Sequence, residues 1–127
     1  MVRTQTETVI QFIKFHSDQA RIYRQLRDRK RGRFVLRAGR RYGKTTMFEE
    51  AAANWAVKGE RVGWFSPNYK LLLPSYKRIL KRVRPLVTNA SRTDGIIELV
   101  GGGSIEFWTL NDEDAGRSRS YDRVVID

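Results

Sequence analysis

The chain contains no cysteine. That excludes disulfides and any zinc site built on thiolates, and it fits a cytoplasmic protein. There is one histidine, His16, and a lone imidazole rarely makes a metal site. No apolar run approaches the roughly 18 residues that a membrane span needs. The apolar stretch from Val9 to Phe15 is short and broken by Gln11 and Lys14, so no secretory signal pattern is present. Internal repeats and low-complexity linkers are absent too. Acid is scarce: 14 Asp and Glu stand against 25 Lys and Arg, a net charge of +11. Such a balance favours a polyanionic partner, most simply nucleic acid. The charge is uneven, with one acid (Asp28) among the many basic residues from Arg21 to Lys44 and none from Lys70 to Arg84. A charge run is also what a solvated face looks like. At 127 residues, 40% of them apolar, the chain is one domain at most, with material for one core.

The order of elements points to an α/β fold with a mostly parallel sheet. Ser17 or Asp18 can cap a helix from about Gln19 to Arg29, with Ala20, Ile22, Tyr23 and Leu26 as its buried stripe. Phe34 to Leu36 is a short apolar strand. Thr46 to Val57 is Ala-rich, lacks Gly and Pro, and is expected to be a helix ended by Lys58-Gly59. Its apolar residues form no clean stripe, which suits a helix packed closely on a sheet. Arg61 to Ser66 is a strand closed by Pro67-Asn68. Leu71 to Arg84 is a helix with Tyr76, Ile79, Leu80 and Val83 on one face. Ile96 to Val100 and Ser104 to Leu110 form a hairpin around Gly101-Gly102-Gly103. Asn111 to Arg119 is a polar loop, and Arg123 to Asp127 is an apolar strand ending in an acid.

The most informative residues are Ala38-Gly39-Arg40-Arg41-Tyr42-Gly43-Lys44-Thr45. Gly43-Lys44-Thr45 is the end of a Walker A pattern. In such a loop backbone N–H groups surround nucleotide phosphates, the lysine reaches the outer phosphates, and the hydroxyl holds magnesium. A strand before the loop and a helix after it supply the required geometry, because the helix N-terminus presents its positive dipole end to the phosphates. The bland alternative is an ordinary strand-to-helix turn. Ala38 departs from the strict pattern, which has glycine there.

Val124-Val125-Ile126-Asp127 has the form of a Walker B strand. A buried parallel strand would deliver the Asp127 carboxylate to the edge where the loop sits, to hold magnesium. Many buried strands end in Asp, so this signal gains its weight from the loop. Glu49 and Glu50 are expected to be exposed or structural, and the acids Asp112 to Asp114 solvated. Trp55, Trp64 and Trp108 are expected in the core or half-buried.

Taken together these residues resemble the ATPase domain of the phage terminase large subunit. The likeness rests on His16 to Gln19, Ala38 to Thr46, Ser66 to Tyr69, the hairpin, and Ala115 to Asp122 leading into Val124 to Asp127. Replacement of the first glycine, and arginine inside the loop, are common in that family. The resemblance implies a three-layer P-loop NTPase fold, here incomplete on its C-terminal side, with ATP and Mg2+ as ligands. It implies that Gln19 reads adenine, that Ala38 through Thr46 line the nucleotide, and that Thr45 and Asp127 hold the metal. Lys44 and Arg40 would act in catalysis, Arg40 as a finger on the γ-phosphate. Arg117 would sense nucleotide or contact a neighbour. The expected partners are double-stranded DNA, the portal, the small terminase subunit and other copies in a ring, in the cytoplasm of the bacterial host.

Residues 1–127 would then be the front part of the motor domain. Nothing corresponds to the family's nuclease domain, and the glutamate that often follows the Walker B aspartate is not in this chain, so weak hydrolysis is expected. Two alternatives stay open: another P-loop nucleic-acid ATPase of helicase-like type, or a basic DNA-binding module with an inert loop.

Overall fold

The computed structural model describes residues 17–28 and 44–127. The Phe34 to Leu36 strand, His16 and the loop residues Ala38 to Gly43 lie outside the described residues. Helix α1 is Ser17–Asp28 and α2 is Lys44–Val57. Strand β1 (Arg61–Ser66) leads into α3 (Tyr69–Val83) and a 3-10 turn at Arg84–Leu86. Then come β2 (Val87–Ser91), β3 (Ile96–Leu99), β4 (Ser104–Thr109) and β5 (Arg123–Ile126).

The strands form one five-stranded sheet in the order β2-β3-β4-β1-β5. β1 runs parallel to both β4 and β5, while β2-β3 and β3-β4 are antiparallel. The fold is therefore α/β with a mixed sheet. The expectation of a mostly parallel sheet holds for β4-β1-β5 and fails beyond it, because the tight Gly101–Gly103 turn folds β3 back against β4. No element was expected between Pro85 and Ile96, yet β2 lies there. Its middle residues Thr88, Asn89 and Ala90 are exposed, so no apolar alternation marks it.

Residue alternation divides the sheet into two faces. Val62 and Trp64 align with Ile105 and Phe107 of β4, and Trp64 with Val125 of β5. All of these are buried beneath α2 and α3. Edge-to-face contact of Tyr76 with Phe107 fixes α3 on this side, and Arg123 over the Trp55 ring fixes α2. α1 packs on α2: Tyr23 donates its hydroxyl to the Glu50 carbonyl, and Trp55 donates Nε1–H to the Arg27 carbonyl at 3.1 Å. The opposite face carries Gly63, Phe65, Trp108, Val124 and Ile126. There the connection between β4 and β5 crosses β1, placing Tyr121 edge-on to Phe65 and accepting the Trp108 Nε1–H on the Tyr121 hydroxyl at 2.7 Å. Among the described residues helices cover one face only, so two layers stand where three were expected. β5 is correspondingly buried only at Val125, with Val124 54% and Ile126 68% exposed.

The helices form for local reasons. α3 begins where Asn68, extended at φ −155°, accepts the Leu71 N–H on its side chain at 3.0 Å. Its buried residues Leu72, Ser75, Tyr76, Ile79 and Val83 include three of the four expected, with Leu80 half-buried. α2 is buried nearly all round, from Met47 through Ala56, as its missing stripe foretold. α1 contains Ser17 and Asp18 within the helix rather than before it. No helix among the described residues is long and apolar enough to cross a membrane.

Candidate functional site

The carboxyl ends of the parallel strands β1, β4 and β5 lie side by side. In open α/β sheets this is the edge outside which ligands bind. Ser66 ends β1 there, buried, with its Oγ accepting Trp64 Nε1–H at 3.0 Å. Asp127 follows β5, its N–H donating to the Phe65 carbonyl at 3.0 Å. The ladder thus continues just far enough to fix the start of the Asp127 side chain.

α2 begins at the same edge. Lys44 opens it and Thr45 follows, with no acid in the first turn. A cation at a helix N-terminus adds to the positive dipole end instead of offsetting it. The edge is therefore locally electropositive, a setting that an anion would relieve.

Into this setting comes one carboxylate. Thr45 Oγ1 donates to Asp127 Oδ1 at 3.2 Å, with Oδ2 at 3.4 Å, across 82 residues of chain. Both distances exceed the roughly 2.7–2.8 Å usual for a hydroxyl–oxygen bond. A hydroxyl and a carboxylate so placed are two hard oxygen donors of the kind magnesium takes. Among the described residues no group of three His, Cys, Asp or Glu side chains converges on a metal position. A divalent ion at Thr45 and Asp127 would draw its remaining ligands from phosphate and water, as magnesium commonly does.

The other expected residues are distributed as follows. Thr46 is half-buried in α2. Gln19 lies in α1, with its side chain outside the described set. Ala38, Gly39, Arg40, Arg41, Tyr42 and Gly43 also lie outside it. Arg117 is not brought to the Thr45–Asp127 pair: it sits in the exposed turn after β4 and donates to Asp114 at 3.0 Å. Asp112, Glu113 and Asp114 are exposed, as expected.

Glu49 and Glu50 are buried and structural, which removes the exposed alternative. Arg78 donates to Glu49 at 2.7 Å and Arg82 to Glu50 at 2.7 Å, joining α2 to α3. Burial of two adjacent carboxylates costs little only when each has a cation, and each has one. No pairing of these acids was expected from the sequence. The available signal was two arginines one turn apart on α3 and two adjacent acids on an otherwise apolar helix. Asn68, expected as part of the Pro67-Asn68 strand end and of Ser66 to Tyr69, is also the cap of α3, the ordinary role of Asn before an apolar helix.

Comparison with known proteins returns nothing to set beside this geometry: no family model, no curated protein and no solved structure matches the chain.

Proposed function

We propose that the chain is the nucleotide-binding part of a DNA-packaging ATPase of the terminase large-subunit type, with a P-loop fold, taking ATP and magnesium. One observation carries the proposal: the Thr45 hydroxyl and the Asp127 carboxylate meet at 3.2 Å at the carboxyl edge of parallel strands, directly after Lys44. Two oxygen donors beside a lysine at a helix N-terminus suit a magnesium-bound phosphate, which backbone binding to DNA does not call for. In the proposed site Lys44 reaches the outer phosphates, while Thr45 and Asp127 hold the metal. Magnesium would supply charge neutralisation on the β- and γ-phosphates. Ala38 to Gly43 would wrap the phosphates, with Arg40 acting on the γ-phosphate and Gln19 reading adenine. Hydrolysis breaks the bond from the γ-phosphorus to the bridging oxygen as water attacks, releasing ADP and phosphate. Glu49 is engaged by Arg78, so it is not the base for that water.

The proposed nucleic-acid partner, double-stranded DNA, is supported by α3 and the turn after it. Lys70, Lys77, Lys81 and Arg84 are exposed and follow at intervals of seven, four and three, one stripe of a helix. None makes an ion pair among the described residues. Such a stripe meets phosphates rather than base edges, so its binding would depend on salt and little on sequence. Portal, small subunit and ring neighbours remain part of the same proposal.

The test is calorimetry of ATP with magnesium on the folded 127-residue chain. Binding is expected, with a loss of at least about tenfold in Lys44→Ala, since a charge-assisted phosphate contact is removed. A folded chain that binds no nucleotide overturns the reading.

A further inference from the structure

The two ion pairs between α2 and α3 share chemistry but differ in position. Glu49 stands four residues after Thr45, so the two project from the same face of α2, one turn apart. Glu50 is rotated away from that line. Arg78 therefore lies beside the candidate site, and Arg82 does not.

The geometry at Arg78 exceeds what a strut requires. Its Nε donates to both carboxylate oxygens of Glu49, at 2.9 and 3.1 Å, and its Nη2 donates to Oε2 at 2.7 Å. A fork of this kind fixes the plane of the guanidinium as well as its position. The Glu49 side chain is 8% exposed, whereas that of Arg78 is 56% exposed. The acid is enclosed, and the cation it holds is open to a ligand. A guanidinium has five N–H groups, and the bonds to Glu49 use Nε and one proton of Nη2, leaving both protons of Nη1 and the second of Nη2. Asp127 is near enough to contribute, after Glu49, to raising the Arg78 pKa above its ordinary value.

We propose that Arg78 is a further residue of the nucleotide site: Glu49 holds it so that Nη1 meets the terminal phosphate of a nucleoside triphosphate bound at Thr45 and Asp127. Glu49 is the positioning residue and Arg78 the phosphate contact. The site then distinguishes triphosphate from diphosphate, because only the triphosphate places charge within reach of Nη1. The same bonds carry that distinction into α3, the helix with the exposed basic stripe. This inference rests on the nucleotide reading above.

The experiment compares magnesium with a non-hydrolysable ATP analogue against magnesium with ADP, by calorimetry, in the wild-type chain and in Arg78→Ala, Arg78→Lys, Glu49→Gln and Arg82→Ala. Arg78→Ala should weaken the triphosphate about tenfold, the scale of one hydrogen bond to a charged group. ADP affinity should stay within about twofold, because the contact is absent from that complex. Arg78→Lys keeps charge without the fork and should recover only part of the preference. Glu49→Gln should lower the preference less than Arg78→Ala does. Arg82→Ala should lower the melting temperature and leave the preference intact. The proposal is overturned if Arg78→Ala keeps the preference, or if Arg82→Ala erodes it equally. Should Arg78→Ala fail to fold, Arg78→Lys with an unchanged preference overturns it as well. Wild-type chain that binds neither nucleotide would instead bring down the nucleotide reading, and this inference with it.

Discussion

The two faces of the sheet are built from alternate residues of the same strands, yet they have different fates. On one face Val62, Trp64, Ile97, Ile105 and Val125 are sealed under α2 and α3. On the other, Phe65 and Trp108 are half-buried beneath the loop that carries Tyr121, and Val124 and Ile126 are open. The candidate site lies on neither face but at the edge where strands end. What the covered face provides is orientation: it holds α2 against β1 and β5, and so sets Thr45 opposite Asp127. The difference teaches that site geometry here depends on one face far more than on the other.

The sharpest way to break that comparison is to truncate one residue from each face. Trp64 is fully buried and donates its indole N–H to Ser66. Trp64→Ala should cost about 3–5 kcal/mol, from lost burial and the cavity left behind, and should free the Ser66 end of β1. Ile126→Ser on the open face should change stability by about 0.5 kcal/mol or less. Denaturant melts of both variants give the two numbers. Equal costs would mean that the open face contributes as much to the fold as the covered one.

A pair of glycines sharpens the same contrast. Gly103 lies where β4 begins, on the covered side, and a Cβ there would run into the backbone carbonyl oxygen of Ala56 in α2. Backbone cannot rotate out of the way, so Gly103→Ala should cost about 1–3 kcal/mol, the usual range for overpacking. Gly63 lies on the loop-covered side, and its added Cβ would stand 2.7 Å from the Tyr121 ring. A side chain on a loop can move, so Gly63→Ala should cost less, about 1 kcal/mol. Thermal melts compare them directly. A larger loss at Gly63 would show that the Tyr121 loop is the more rigid of the two covers.

These contrasts also show what was legible in the residues. Arg61 to Ser66 is a strand with the ends expected of it, because β-branched and aromatic residues there are bounded by Gly59 and Pro67. The stripe of α3 was legible because tyrosine, isoleucine and valine recur at helical spacing. β2 was not, since Thr88 to Ala90 are exposed and the segment is held mainly by its ladder to β3, with Val87 alone packed against the core. The continuous apolar run Val124 to Ile126 resembles a strand covered on both sides, and the described residues cover one. The meeting of Thr45 with Asp127 was legible because the Walker A and Walker B patterns, as expected from the sequence, aim both at one metal position. The bond between Glu49 and Arg78 spans 29 residues; the sequence offers adjacent acids and arginines one turn apart, and the packing of α2 on α3 decides that they pair.

The smallest expected effect concerns two phenols, one under each cover. Tyr23 packs between α1 and α2, and burial, with the Glu50 charge adding to it, pushes its pKa from 10.0 up to about 12. Tyr121 sits beneath its loop and is likewise pushed up to about 12, again mainly by burial. For both, the folded state prefers the protonated phenol. Their stabilisation is therefore complete below about pH 10 and is lost as pH rises toward about 12. For Tyr23 the loss near pH 11 is on the order of 1 kcal/mol. Tyr121 is only half-buried, and solvent screening makes its share smaller. Tyr23→Phe cannot ionise and gives up the long hydrogen bond to the Glu50 carbonyl, at 3.4 Å. Its melting temperature should match the wild type near neutral pH and exceed it near pH 11, while Tyr121→Phe should shift the alkaline limb less. If Tyr121→Phe gave the larger alkaline gain, the loop would exclude water better than the helix layer does, and the ranking of the two faces would reverse.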